Sequence, residues 1–248
     1  MKAWRLRKMN DNLRRNRSLA KSGTIFEDIR LAWIHSDAMI GKDVYIGPCV
    51  TIGPGVQIGN GCRIDKGSTV KCSVIGDGAV IGEGSILENM KVGKGTSILK
   101  SVLKNSEIGS NCNIGPFAYI RPDCVIGDNV RLGDFVEIKN SSIGDNTKVS
   151  HLTYVGDSDL GKGINVGCGV VFVNYDGRDK FRSMVHDGVF IGCNVNIISP
   201  VEIGENAYIA AGTTITSDVP AGSLEIGRAR QEHHEGWVEK KGLLQKDL

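Results

Sequence analysis

From Ile34 onward an aliphatic residue returns every six positions, at Ile40, Ile46, Ile52, Ile58, Ile64 and Val70, and is usually followed by Gly. A small residue tends to stand four places after it, as in the segments IGPCVT and IGPGVQ. Beyond Val70 some steps shorten to five, yet the ladder runs on through Ile98, Leu103, Ile108, Ile114, Ile120, Ile126, Leu132, Ile138, Ile143, Val149, Val155, Leu160, Val166 and Phe172. It resumes at Ile191, Ile197, Ile203, Ile209 and Ile215. Such a short, sustained period specifies a repeat architecture, in which each unit buries its apolar face only by stacking on the next. The expected fold is all-β: a parallel β-helix with three short strands per coil and roughly 18 residues per unshortened coil. The rung residue and the small residue four places later point into the prism, and Gly supplies the corner. Coils pair at about 4.8 Å, giving three long parallel sheets. Each buried Ile or Val contributes about 1.5–3 kcal/mol.

Composition agrees with a narrow prism. Of 248 residues 33 are Gly and only 6% are aromatic, so the core is built from small and β-branched side chains. Charge is unevenly placed: residues 1–22 hold eight Lys/Arg against one acid, Asp11, a balance of +7, and the other 226 residues carry −5. Leu6, Met9 and Leu13 fall at helical spacing within that basic segment, which reads as a short, solvated helical arm with no nucleic-acid partner. The arm lacks the apolar core of a signal peptide, and no stretch approaches the ~18 apolar residues of a membrane span. The expectation is a soluble cytoplasmic protein. Seven cysteines (49, 62, 72, 112, 124, 168 and 193) include no CxxC pair, which argues against a disulfide framework or a zinc site. His35, His151, His186, His233 and His234 form no set of three for a metal-dependent enzyme on this kind of prism, so no metal is expected.

The chain therefore divides into a basic helical arm (1–22), a β-helix (23–223) and a polar tail (224–248) expected as a short strand or helix on the outside. Between Phe172 and Ile191 the ladder is lost, and an inserted loop of about residues 174–188 must leave the prism, turning at Asp176-Gly177. Loops on rigid scaffolds carry function.

Counting rungs stacks Ile120, Ile138, Val155 and Phe172 on one face. The place normally held by Gly is then Arg121 on one coil and Lys139 on the next, two cations in register near the origin of the loop that holds Asn174 and Lys180. That arrangement is an anion site with a movable wall. Lys71, Glu88 and Lys104 read as solvated corners by comparison. Leu132, Val149 and Val166 belong to another face, where His151 and Cys168 take the same place on successive coils and Tyr154 closes the first rung. A lone His is more often a surface residue than a catalyst. Because His151 and the Arg121/Lys139 corner occupy different edges of one prism, the count predicts a homotrimer with sites between neighbours.

At these residues the chain resembles the acetyltransferase half of the bifunctional N-acetylglucosamine-1-phosphate uridyltransferase/glucosamine-1-phosphate N-acetyltransferase of bacterial cell-wall synthesis. The segments IRPD, FVEIK, HLTYVGD, NVGCG, NYDGRDKF, AAGTT and RARQ follow that family in order, over about residues 34–240 and most densely from 114 on. The resemblance implies the left-handed form of the β-helix and acetyl-CoA-dependent N-acetylation of glucosamine 1-phosphate in UDP-N-acetylglucosamine biosynthesis. It implies that His151 is the general base and that Arg121, Lys139, Tyr154, Asn165 and Lys180 hold the sugar phosphate. By the same likeness Cys168, Asn174, Tyr175, Cys193, Ala211 and Arg228 hold acetyl-CoA, with Cys168 standing where Ala is usual and Cys193 where Ser is usual. These two replacements imply a gain of thiol sensitivity. The family's nucleotide-binding domain and its glycine-rich loop have no counterpart here, so the expectation is no uridyltransferase activity and no magnesium requirement, with a separate uridyltransferase as the partner that would supply that step. The competing readings are a hexapeptide acyltransferase for another amino sugar or amine, and a non-catalytic trimeric scaffold.

Overall fold

The computed structural model describes residues 2–243, with side chains from residue 10. After a helix, Lys2–Lys21, the chain winds through strands of mostly two or three residues, beginning with Ile25–Phe26 and ending with Leu224–Glu225. One face of the prism is a 12-stranded sheet, and the strands pair in parallel with the coils on either side of them. The fold is the left-handed parallel β-helix of hexapeptide repeats, the β-helix expected from the six-residue period and its hand from the family resemblance. Register follows the ladder: Ile46 lies against Ile64, Ile64 against Ile81, and Ile81 against Ile98. The residues four places after a rung, such as Val50 and Val56, are fully buried beside Ile46 and Ile52. Phe172 is the aromatic among the largest fully buried side chains, on the coil from which the loop leaves.

Corners are made by backbone in the left-handed region, held by Gly or by Asn and Asp, whose short polar side chains tolerate it. One corner repeats this through Asn89, Asn105, Asp123, Asn140 and Asp157, with φ between 45° and 66°. Their side chains form a ladder of their own. Asn89 Nδ2 donates to Asn105 Oδ1 at 2.9 Å, and Asn140 Nδ2 donates to Asp157 Oδ1 at 2.6 Å.

The helical arm is docked rather than wholly solvated. The first coil has no coil beneath it, so its carbonyls need other donors. Asn16, fully buried, donates to Ile29 O and Ala32 O, Asn12 donates to Ala32 O, and Arg15 donates to Ala38 O at 2.6 Å. Asn12 Oδ1 accepts from the Ile34 amide, and Leu19 packs on the core. The docking stripe is thus Asn12, Arg15, Asn16 and Leu19, which caps the prism; the side chains of Leu6 and Met9 lie outside those described. The loop also differs from expectation. It spans residues 174–182, because Ser183–Val185 already pairs with Ser158–Leu160 and Val185 is a buried rung over Leu160. His186, where a Gly usually follows the rung, hides that step in the sequence. Of the tail, residues 226–243 are exposed, including the short helix Trp237–Lys240, and residues 244–248 lie outside those described.

Candidate active site

Two neighbouring edges of the prism carry the polar residues singled out above. On the first, Ile120 pairs with Ile138 and Lys139 pairs with Gly156, so Arg121, Lys139 and Gly156 stand one above another. The stack extends downward, since Leu103 pairs with Ile120 and Glu88 with Lys104. Lys104 therefore lies directly below Arg121, in the same column that the sequence count treats as separate solvated corners. Its ammonium is 4.0 Å from Glu88.

Asp157 organises this edge. It is 6% exposed, and its carboxylate takes hydrogen bonds from Asn140, from Asn174 Nδ2 and from Lys139 Nζ at 3.2 Å. Burial works against its charge, and these donors outweigh burial and hold its pKa below the usual carboxylate range. Burial likewise opposes the Lys139 ammonium, and its ion pair with Asp157 holds its pKa above the usual lysine value. Lys180 stands beside the Lys139 ammonium, and that like charge pushes its pKa down. Arg121 donates to Glu137 at 2.9 Å, and that contact raises its pKa. Three cations from two coils and the loop thus converge on one corner.

The loop that brings Lys180 is fixed at both ends. At its start Asn174, itself buried, bonds Asp157 and reaches the Tyr154 hydroxyl at 3.5 Å. At its end Arg182 forks onto both oxygens of Asp159 at 2.5 Å each and donates to Asn140 O at 2.9 Å. Between them Asp176 Oδ1 accepts from the amides of Arg178 and Asp179, making the turn expected at Asp176-Gly177. Tyr154 lies across Gly156: a Cβ there would fall 2.3 Å from the Tyr154 hydroxyl and 2.8 Å from Asn174 Nδ2. Gly is required at that rung because an aromatic ring occupies the side-chain space.

The second edge begins with His151. Asp134 pairs with His151 across the sheet, and His151 Nδ1 is 2.6 Å from Asp134 Oδ1. An ionised carboxylate only accepts, so Nδ1 carries the hydrogen and Nε2 keeps the lone pair of the neutral ring. The contact depresses the Asp134 pKa. Register then stacks Cys168, Cys193 and Ala211 above His151: Val149 pairs with Val166, Val166 with Ile191, and Ile191 with Ile209. Arg228 closes the column, donating to Ala211 O at 2.7 Å. Beside it Phe117, Phe135 and Leu152 are more than half exposed and hold φ of 60°, 55° and 45°. The corners of the prism impose that left-handed backbone, which here is held by bulky residues in place of Gly, Asn or Asp. The two phenyl rings stack at 5.4 Å.

Arg121, Lys139, Tyr154, Asn174 and Lys180 therefore gather on one edge, and His151, Cys168, Cys193, Ala211 and Arg228 on another. Asn165 is exposed on the 12-stranded face between Lys148 and Phe190, and Tyr175 is exposed on the loop. Asn174, expected with the second group, sits with the first. Sequence reasoning missed Asp134, Glu137, Asp157, Asp159 and Arg182; the signal for Asp157 lies in the Asn/Asp that recurs two or three places after successive rungs. A groove of about 580 Å³ on the lower coils, lined by Cys72, Asn89, Asn105 and Asp123 among others, includes none of the expected site residues. Among the described residues no three His, Cys, Asp or Glu side chains gather to hold a metal, and no helix is long and apolar enough to cross a membrane.

Residues 105–140 and 182–217 match the bacterial transferase hexapeptide (six repeats) family, and residues 29–106 match the GMPPB C-terminal domain. The chain is 58% identical over 153 residues, 62% of its length, to the bifunctional protein GlmU of Clostridium acetobutylicum, of which this covers 34%. The GlmU of Acetivibrio thermocellus is 58% identical over 150 residues, 60% of the chain and 32% of that protein. This stretch is homologous to part of GlmU. The resemblance read from the sequence holds there, and the chain spans about a third of the length of the curated relatives it matches. Among solved structures, a UDP-N-acetylglucosamine acyltransferase is 21% identical with a TM-score of 0.48, covering 79% of this chain and 69% of that one. LpxA from Bacteroides fragilis 9343 is 19% identical with a TM-score of 0.42, covering 77% and 68%.

Proposed function

We propose that the chain is an acetyl-CoA-dependent N-acetyltransferase of glucosamine 1-phosphate, serving UDP-N-acetylglucosamine biosynthesis. The observation that carries this reading is the convergence of Arg121, Lys139 and Lys180 on one corner, braced by Asp157 and a doubly anchored loop. A phosphate monoester would take its place among these cations, competing with Glu137 for Arg121, and charge-assisted hydrogen bonds would hold it. Tyr154 and Asn165 would contact the sugar. The amino group of such an acceptor is protonated near neutral pH and must lose a proton to attack a thioester. His151, held by Asp134 with Nε2 bearing the lone pair, is suited to take that proton. Attack forms the C–N bond, the carbonyl electron pair moves to oxygen and then returns, and the C–S bond breaks. The imidazolium of His151 can protonate the leaving thiolate, which returns the base to its starting state. The column above His151 is lined by small residues and ends at the Arg228 guanidinium. It would carry the donor, with Arg228 toward the phosphates of CoA and Tyr175 contacting the donor from the loop. Asn174 commits its amide hydrogens to Asp157 and Tyr154. Backbone amides of the column are therefore better placed to meet the developing oxyanion.

The two groups occupy different edges, so the complete site belongs between subunits of a homotrimer. The exposed Phe117, Phe135 and Leu152 flanking His151 supply an apolar surface for that packing.

The test is CoA release from purified protein given acetyl-CoA and glucosamine 1-phosphate, with glucosamine 6-phosphate and glucosamine as controls. Release with the 1-phosphate alone is expected. Release with another amine would favour a different acceptor, and silence with all three from a verified trimer would remove the catalytic reading.

A further inference from the structure

Two of the seven cysteines stand in register on consecutive coils. Val166 pairs with Ile191, so Cys168 and Cys193, each two residues further on, are neighbours across one strand spacing. The backbone confirms the pairing at the corner itself: the Asn194 amide donates to Cys168 O at 2.8 Å. A spacing of about 4.8 Å lies within the Cα separations that a disulfide spans, roughly 4.4–6.8 Å. Gly167 and Gly169 flank Cys168 and Gly192 precedes Cys193, so bulky side chains do not crowd the pair. Cys193 is exposed and Cys168 half-buried. The other five cysteines lack this arrangement. Cys62, Cys112 and Cys124 are buried in the prism, where burial pushes their thiols up. Cys49 and Cys72 are exposed but face no cysteine on the adjoining coils; the coil neighbouring Cys72 presents Asn89. The pair also lies directly above His151 in the column read here as the donor groove.

We propose that Cys168 and Cys193 form a thiol pair that a small disulfide such as glutathione disulfide oxidises to a single inter-coil disulfide, and that this bond blocks the donor groove. The part concerning the groove rests on the proposed acetyl-CoA reading; the pair itself does not. The Cys193 thiolate attacks one sulfur of the oxidant, forming a mixed disulfide and releasing one glutathione thiolate. The Cys168 thiolate then attacks the Cys193 sulfur, forming the inter-coil bond and releasing the second. The protein loses two hydrogens and two electrons, and the oxidant becomes two molecules of glutathione.

The experiment uses the full chain, reduced and then exposed to glutathione disulfide, with intact mass, non-reducing peptide mapping and CoA affinity by calorimetry read on the same sample. The expected result is loss of two hydrogens, a cross-linked peptide joining residues 168 and 193, and CoA affinity reduced at least about tenfold. Dithiothreitol should reverse all three, and prior saturation with CoA should slow the cross-link. Cys168→Ala should instead carry a lasting glutathione adduct on Cys193. Adducts that persist on both cysteines of the unaltered chain, with no cross-link, overturn the pair. A cross-link that leaves CoA affinity unchanged overturns the blockade. A cross-link in a protein whose reduced form binds no CoA overturns the donor reading of the groove while supporting the thiol pair.

Discussion

Asp157 is the residue whose removal says most about how the cationic corner is held together. In Asp157→Asn the carboxylate facing Lys139 at 3.2 Å becomes a neutral amide in a place where both side chains are largely enclosed, 18% and 9% exposed. Opposite unit charges about 4 Å apart are worth roughly 4 kcal/mol at an effective dielectric of 20. Removing one partner of an enclosed pair costs about 3–5 kcal/mol, because the other charge stays behind. Lys139 keeps some solvent, so a loss of about 3 kcal/mol is expected. Lys139→Met should cost a similar amount by stranding Asp157, while the double variant, which strands neither charge, should cost far less than the two together. Chemical denaturation of all four proteins measures the coupling. Strict additivity of the single losses would refute the account of the corner as an ion pair. Inorganic phosphate at millimolar concentration should stabilise Asp157→Asn more than the unaltered chain, since it replaces the missing negative charge. Acid imposes the same perturbation reversibly. The Asp157 pKa is depressed on folding, so its contribution is present above the ordinary carboxylate value, about 3.9, and is lost as pH falls through the lower folded value.

His151→Ala should lower turnover by about two decades or more while leaving acceptor binding nearly intact, measured as kcat and as acceptor affinity by calorimetry. Asp134→Ala removes both the charge and the orienting contact on Nδ1 and should cost more turnover than Asp134→Asn, whose amide oxygen can still accept from Nδ1; equal activities would leave Asp134 no orienting role. Lys180 is pushed down by Lys139, so the corner should lose one positive charge at a lower pH than an ordinary lysine would dictate. The acceptor KM should therefore climb with pH below about 10, and Lys180→Arg should delay that rise. Asn16→Ala strips donors from Ile29 O and Ala32 O at the buried end of the prism and should lower stability by about 1–3 kcal/mol, read from the denaturation midpoint.

The prism was legible because its signal is periodic. Each rung such as Ile138 repeats information given by Ile120 and Val155, and a fold that stacks identical units turns sequence offset directly into spatial neighbourhood. The same arithmetic correctly stacked Arg121 under Lys139 and His151 under Cys168. It failed where the period breaks. Val185 is hidden as a rung because His186 follows it, so the broken period makes the loop look longer than it is. Asp157 and Asp159 went unseen as anchors because their partners, Asn174 and Arg182, arrive through an insertion whose path no periodicity encodes. Asp134 was reachable, since it lies one coil below His151 in the very column already counted, but a half-buried acid on a corner attracts no notice until a ring nitrogen is found beside it. The helical arm marks a different limit. Its docking face is Asn12, Arg15, Asn16 and Leu19, polar because it must feed hydrogens to the open carbonyls of the first coil rather than bury apolar surface. A search for hydrophobic spacing cannot find such a face. What specifies it is the unpaired edge of another element, and that edge exists only once the prism has formed.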